Sequence, residues 1–298
     1  MTVPSFSPAL AAVAYVRGRS EGSPLDRRTR ITLHFHPERD FHGVSVLESM
    51  ARDGMYRSQF DTGTSNGGLT AYPGGWRWQW ESQMFGGAYD ETPAAERPLY
   101  GSLNFRGRPH GGSPRFGSSF FRLKETVLDR ATFCYPDSFD RPVNFGTADR
   151  AGVVAIAAAD RRDFLDDYVE AHVHGGIRLE SDVEALVLDP CFRGTAVESA
   201  ARRLPCPVEW HEGFVLDIEH VRRHPGFRTP EAVALAEVLA AVGPLTAAAL
   251  GDVSLAGQHA PQTVKYVWHY IARFGEPAET SVVRFGGPAS ESSPLSAG

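Results

Sequence analysis

Two histidines, His34 and His36, stand two residues apart in the run ITLHFHPERD, and the spacing returns in YVEAHVHGGI as Glu170, His172 and His174. Side chains of an extended strand alternate between faces, so each set projects to one side. Metal ligation, contact with a nucleotide and ordinary core packing all suit such sets. A third pair with this period is acidic: Asp182 and Glu184 lead into the apolar run of LESDVEALVLDP. Burying charge is costly unless it is paired. The pair therefore marks either a solvated strand edge or a cleft. In a cleft, Glu184 would stabilise positive charge developing at an anomeric carbon, and Asp182 would orient or deprotonate an incoming nucleophile.

The segment YRSQFDTGTSNGGLTAYPGG offers a guanidinium fork for phosphate at Arg57 and polar side chains at Thr62, Ser65 and Asn66. Gly67 adds a place where backbone can approach a ligand. Its spacing is neither that of a Walker loop nor a G-x-G-x-x-G fingerprint, so by itself it reads as a decorated turn. In RPLYGSLNF, Tyr100 is a core residue of a strand or a ring on which a flat ligand stacks. Metal-dependent amidohydrolases carry H-x-H on the first strand of a barrel of eight strand–helix units. That rhythm is missing here, although a metal-dependent hydrolase built on the two histidine pairs stays an alternative, as does a non-catalytic interaction protein.

These residues need a frame. GVSVLESMARDG has the apolar period of a helix, with Gly54 placed to end it. DRRDFLDDYVEAH reads as a second helix with Phe164, Leu165 and Tyr168 inward. MYRSQF, WRWQWES, LYGSLNF and GSSFFRL read as short strands between glycine turns. In WRWQWES the three tryptophans would fill an inner face, leaving Arg77, Gln79 and Glu81 outward. EALVLDP is a buried strand stopped by Pro190. TPEAVALAEVLAAVGPLTAAAL and APQTVKYVWHYIARFG are helical, with Thr229 and Pro230 suited to the N-cap and first helical positions. The expected organisation is an α+β chain: a helical segment over 1–29, a catalytic core over 30–225, a helical subdomain over 226–285 and a disordered tail over 286–298.

The chain has 298 residues, of which 42% are hydrophobic, and a formal net charge of -6. That is enough to bury a substantial core, and it argues against a broadly basic nucleic-acid surface. No run is long and apolar enough for a bilayer, and the first residues make a poor Sec signal. The expected location is the cytoplasm, or outside the cell by a route other than Sec. The three cysteines, Cys134, Cys191 and Cys206, suggest neither a disulfide framework nor structural zinc and read as idle thiols.

A histidine on the first strand, a helix, a glycine-rich loop, a tyrosine-bearing strand and a late glutamate opening a strand occur in that order. This order resembles the ADP-ribosyltransferase superfamily in its His–Tyr–Glu form. The stretches FHPERD, FDTGTSNGG, YGSLN, PRFGSSFFRL, EAHVHGG and DVEALVLDP resemble, more narrowly, a bacterial family that includes the CteC-type effectors, which ADP-ribosylate ubiquitin on a threonine. Pro37 after His36, and Asp rather than Glu or Gln at 182, depart from the usual superfamily pattern. The resemblance implies a split mixed β-sheet core with flanking helices and a mono-ADP-ribosyltransferase that uses NAD as substrate and no metal. It implies Glu184, Asp182, Tyr100 and His36 as catalytic residues. His34, Arg57, Thr62, Ser65, Asn66, Gly67, Asn104 and Ser118 would join His36 and Tyr100 around NAD. His172 and His174 would lie in a target-recognition loop. The implied partner is a protein substrate, ubiquitin in the narrower resemblance, with neither nucleic acid nor membrane involved.

Overall fold

The computed structural model describes residues 7–41, 43–62 and 71–278. Ser65, Asn66, Gly67 and the expected tail over 286–298 lie outside the described residues. The fold is α+β. Eight strands make one mixed sheet: β1 (Ile31–Phe35), β2 (Leu99–Leu103), β3 (Ser119–Leu123), β4 (Ala131–Tyr135), β5 (Asn144–Thr147), β6 (Val169–Val173), β7 (Val183–Leu188) and β8 (Val208–Trp210). Their order is β8-β7-β3-β1-β2-β6-β4-β5. Only the β7–β8 pair is parallel.

Alternation explains the sheet's two faces. Ile31, Leu33 and Phe35 of β1, Leu99 and Leu103 of β2, and Val169, Ala171 and Val173 of β6 join one apolar core with Phe121, Phe133 and Leu186. The intervening residues Thr32, His34, Ser102, Glu170 and His172 point to the other face and are also buried. A polar stripe is thus enclosed, and its groups must find partners within the protein. The helices α1 (Pro8–Arg17) and α3 (Trp76–Met84) help cover it, with Trp80, Met84, Phe85 and Tyr89 packed near Cys134. The C-terminal helices α5 (Pro230–Ala240), α6 (Ala247–Ala256) and α7 (Pro261–Phe274) build a second core with Phe192 and Phe214. On the apolar side lie α2 (Val46–Asp53), whose Leu47 enters the main core, and α4 (Gly152–Ala159), which contributes Val153 and Ala157. Among the described residues no helix is long and apolar enough to cross a membrane.

The elements around α2, β7 and the C-terminal helices agree with expectation. Gly54 ends α2 in the left-handed region at φ 67°. Three other expectations are corrected. WRWQWES is helix α3, because the tryptophans that alternate along the chain also fall at i,i+4: the rings of Trp76 and Trp80 lie 6.3 Å apart. The stretch before β6 is a run of turns. Asp163 accepts the Leu165 amide with its own side chain, a local bond that competes with helix formation. Asp163, Asp166 and Asp167 then engage Arg273, Arg115 and Arg106. MYRSQF is extended only at Met55–Tyr56, and a short turn of helix follows over Gln59–Thr62.

One joint in the sheet is weak. β1 pairs with β3 at four positions and β2 pairs with β6 at five, yet the ladder between β1 and β2 holds only Ile31–Leu103 and Thr32–Ser102. Gly101 sits at the parting, where a Cβ would stand 2.6 Å from Leu33 Cδ2 and 2.7 Å from the Thr32 carbonyl oxygen.

Candidate functional site

A cavity of about 360 Å³ opens where β1 and β2 part. His34, Phe35 and His36 form one lip and Leu99, Tyr100 and Gly101 the other; β6 adds Glu170 and α3 adds Arg77. The cavity reaches both faces of the sheet at this joint: Phe35, Met50, Tyr56 and Leu99 line it from the apolar side, and His34, His36, Tyr100 and Glu170 from the polar stripe.

His34 has no ring nitrogen to spare. Nδ1 lies 3.1 Å from the Gly117 carbonyl oxygen and donates to it; Nε2 accepts the Ser113 amide at 3.3 Å. Gly111 permits this closeness, since a Cβ there would lie 2.4 Å from Nε2. Burial pushes the His34 pKa down to about 3, so the ring is neutral at physiological pH. It fastens the 111–117 loop to β1 and is not available as a ligand.

His36 differs. Its Nδ1 lies 3.1 Å from Glu38 Oε1, and a carboxylate only accepts, so Nδ1 donates and the neutral ring carries its lone pair on Nε2. Burial holds its pKa below the usual value against the pull of Glu38. Trp268 of α7 meets the ring edge to face at 5.2 Å and is itself anchored through Nε1 to the Pro114 carbonyl at 2.8 Å. His36 is therefore an oriented neutral imidazole at the cavity wall.

Tyr100 is clamped from behind. Its hydroxyl donates to Glu81 Oε1 at 2.9 Å, and Arg97 Nη1 donates to Glu81 Oε2 at 2.6 Å. Burial drives the Glu81 pKa up to about 7, with Arg97 and Tyr100 opposing. The Arg77 guanidinium lies 4.2 Å from the centre of the Tyr100 ring. Arg77 donates to Ser138 Oγ at 3.0 Å, while its Nε is buried with no partner among the described residues. An unfilled cationic donor in a cavity suits an anionic ligand.

Glu170 ends a buried chain of hydrogen bonds. His172 Nε2 lies 2.9 Å from Glu170 Oε1, His172 Nδ1 3.1 Å from Thr132 Oγ1, Thr132 Oγ1 3.0 Å from His174 Nε2, and His174 Nδ1 2.8 Å from the Tyr89 hydroxyl. With Glu170 ionised, every donor in this chain points toward it, from Tyr89 through both histidines. Burial raises the Glu170 pKa, but the hydrogen bond from His172 and the nearby Arg77 charge outweigh it and hold the carboxyl below its usual value. The site thus contains an ionised carboxylate in a largely buried wall.

The expected site residues are placed unevenly. His34, His36, Tyr100, Arg57 and Thr62 line the cavity. Arg57 sits at its rim, paired with Asp53 and Asp61 at 2.9 and 3.0 Å. Glu184 is not among the lining residues: it bonds Arg30 at 2.7 Å and Arg122 at 2.8 Å beside a bulge in the β3–β7 ladder. Asp182, in a short helical turn, accepts the Arg178 amide and pairs with Arg130, so the two acids share no partner. Asn104 closes its own turn onto Arg108, and Ser118 is buried behind β3 with its carbonyl on His211. His172 and His174 are interior residues at 1% and 0% exposure, which corrects their assignment to a recognition loop. Arg77 and Glu81, expected outward, turn inward with α3. Glu170 was missed as a site acid, although its signal is present: it stands two residues before His172 on the same strand face.

Residues 30–161 and 150–274 match a family described as "Protein of unknown function (DUF3626)". Among curated proteins none matches the chain. The matched stretches run from Arg30 to Phe274, take in all eight strands of the sheet and both lips of the cavity, and show that the chain belongs to the DUF3626 family.

Proposed function

We propose that the protein is a mono-ADP-ribosyltransferase that moves ADP-ribose from NAD to a protein side chain, with Glu170 as its catalytic acid in the place first expected for Glu184. The observation that carries the proposal is the convergence of His36, Tyr100 and Glu170, from three successive sheet strands or their ends, on a cavity at the parting of β1 and β2. This order of histidine, tyrosine and glutamate is the one the superfamily resemblance implies, and a sheet held by two pairs at its centre suits a split core.

NAD supplies a glycosidic carbon–nitrogen bond with a good leaving group, nicotinamide. The residues present fit it: a tyrosine ring for a flat heterocycle, Arg77 with an unfilled Nε for pyrophosphate, and a carboxylate near the developing positive charge. The cavity volume lies in the lower part of the usual range for small-molecule sites, about 300–1,000 Å³. Glu170 is kept ionised by His172 and favours that charge as it forms, an interaction that grows toward the transition state. His36, through Nε2, binds the ribose or takes the proton of an incoming hydroxyl, while Glu38 steadies the ring. Tyr100 is kept in place by Glu81.

The acceptor that the narrower resemblance implies is a ubiquitin threonine. Incubation with NAD and ubiquitin, followed by intact-mass measurement, tests it: addition of one ADP-ribose is expected. Unmodified ubiquitin with another protein labelled would refute the acceptor alone. Absence of NAD binding by calorimetry and of any NAD turnover would refute the transferase.

A further inference from the structure

We propose that Cys134, Glu170 and His172 form a three-ligand site for a zinc-class divalent cation, and that occupancy of this site switches the cavity off. Cys134 of β4 stands directly opposite Glu170 of β6 in the ladder, and His172 follows two residues later on the same face. Cys134 Sγ lies 3.9 Å from Glu170 Oε1 and 3.9 Å from His172 Nε2, which are 2.9 Å from each other. Tetrahedral zinc with bonds of about 2.0–2.3 Å places such donors roughly 3.3–3.6 Å apart. Shifts of a few tenths of an ångström therefore convert the hydrogen-bonded triangle into a ligand set. Among the described residues this is the group of donors close enough to hold a metal; the pair His34 and His36 does not contribute to it.

The donors and their surroundings favour this ion class. A thiolate and an imidazole select zinc or cobalt over magnesium or calcium. Thiolate and carboxylate together neutralise a dication, and the other charges facing Glu170, those of Arg77 and Asp137, oppose one another. Binding releases the thiol proton to solvent as the metal–sulfur bond forms. His172 frees its Nε2 lone pair when the chain reverses direction: His172 Nδ1 donates to Thr132 Oγ1 at 3.1 Å, Thr132 to His174 Nε2 at 3.0 Å and His174 Nδ1 to the Tyr89 oxygen at 2.8 Å, so no proton is gained or lost and His172 makes the outer-shell bond that ligating histidines ordinarily make. Glu170 lines the cavity, which provides the access route. A metal on Glu170 removes the free charge from the wall. That consequence for transfer rests on the transferase reading, whereas the site itself does not.

The test uses the full chain stripped of metal, titrated with zinc or cobalt alone. One equivalent is expected to bind, with a thiolate-to-cobalt charge-transfer band. In the double variant Cys191→Ser, Cys206→Ser, Cys134 is the last thiol and the band must persist. In Cys134→Ser, zinc affinity is expected to fall by more than about a hundredfold, beyond the tenfold to hundredfold cost of losing an outer-shell partner. No binding by the wild type, or a band lost in the double variant, overturns the site. If zinc binds as expected but the metal-free protein neither binds nor turns over NAD, the metal site stands and the transferase falls. If NAD turnover continues at full rate with the site loaded, the switch is overturned.

Discussion

The Tyr100 hydroxyl and Glu81 Oε1 are joined by a 2.9 Å hydrogen bond that ties the second lip of the cavity to helix α3. Glu81 is fully buried, and its second oxygen is occupied by Arg97. Replacing Tyr100 by phenylalanine leaves one carboxylate oxygen without its donor, at a cost of about 1–3 kcal/mol. The ring stays, so NAD affinity should change by no more than a few fold, whereas Tyr100→Ala should weaken it by at least about tenfold. Thermal unfolding and calorimetry of both variants check this; equal NAD affinity in the two would rule out a stacking role.

Glu170→Gln should reduce NAD turnover by about a hundredfold to a thousandfold, the loss seen when one electrostatic stabiliser is removed. NAD affinity should change less, because the interaction belongs mainly to the transition state. Glu184→Gln interrupts a half-exposed ion network with Arg30 and Arg122 and should cost about 1 kcal/mol or less, leaving turnover near that of the wild type. The reverse ranking of the two variants would return the catalytic role to Glu184.

The buried histidines set an acid limit. Burial pushes both His34 and His174 down to about 3. In the unfolded chain they titrate near 6.5, so between pH 6.5 and 3 the unfolded state binds more protons and stability falls as pH falls. Each such histidine contributes about 1.4 kcal/mol per pH unit in that window. The melting temperature should already decline between pH 6.5 and 5. A flat profile down to pH 4 would contradict neutral burial, and His34→Gln should make the decline shallower.

Trp268 should matter to the site although it comes from the C-terminal helices. Trp268→Ala removes a large buried side chain, about 3–5 kcal/mol, and also the edge that orients His36. Trp268→Phe keeps most of the packing but loses the bond to the Pro114 carbonyl. If His36 accepts the proton of the acceptor hydroxyl, Trp268→Phe should lower transfer to protein more than slow NAD hydrolysis, at near-native melting temperature. Equal loss of both would make its role purely one of packing.

Much of the frame was legible because local chemistry and tertiary packing agree there: Gly54 at the end of α2, Pro190 after β7, Thr229 and Pro230 at the start of α5. The failures have definite causes. Three alternating tryptophans satisfy a strand period and an i,i+4 helix contact equally, and burial of Trp80 and Met84 decides for the helix. The aspartates before β6 bind arginines far away in sequence, which periodicity cannot reveal. Asp182 and Glu184 carried a motif whose partners, Arg130, Arg30 and Arg122, come from elements not adjacent in the chain. Glu170 was visible as a residue but not as a site acid, because only the sheet order places it beside Tyr100.

The joint between β1 and β2 divides the sheet mechanically. His36 rides on the piece formed with β3, β7 and β8; Tyr100 and Glu170 ride together on the piece formed with β4 and β5. Backbone bonds fix the spacing within each piece but barely fix it between them. A molecule that touches His36 and Glu170 at once would thus act as a crossbar, and its arrival would be read in the amides of both lips as slowed hydrogen exchange, even where it makes no contact with them.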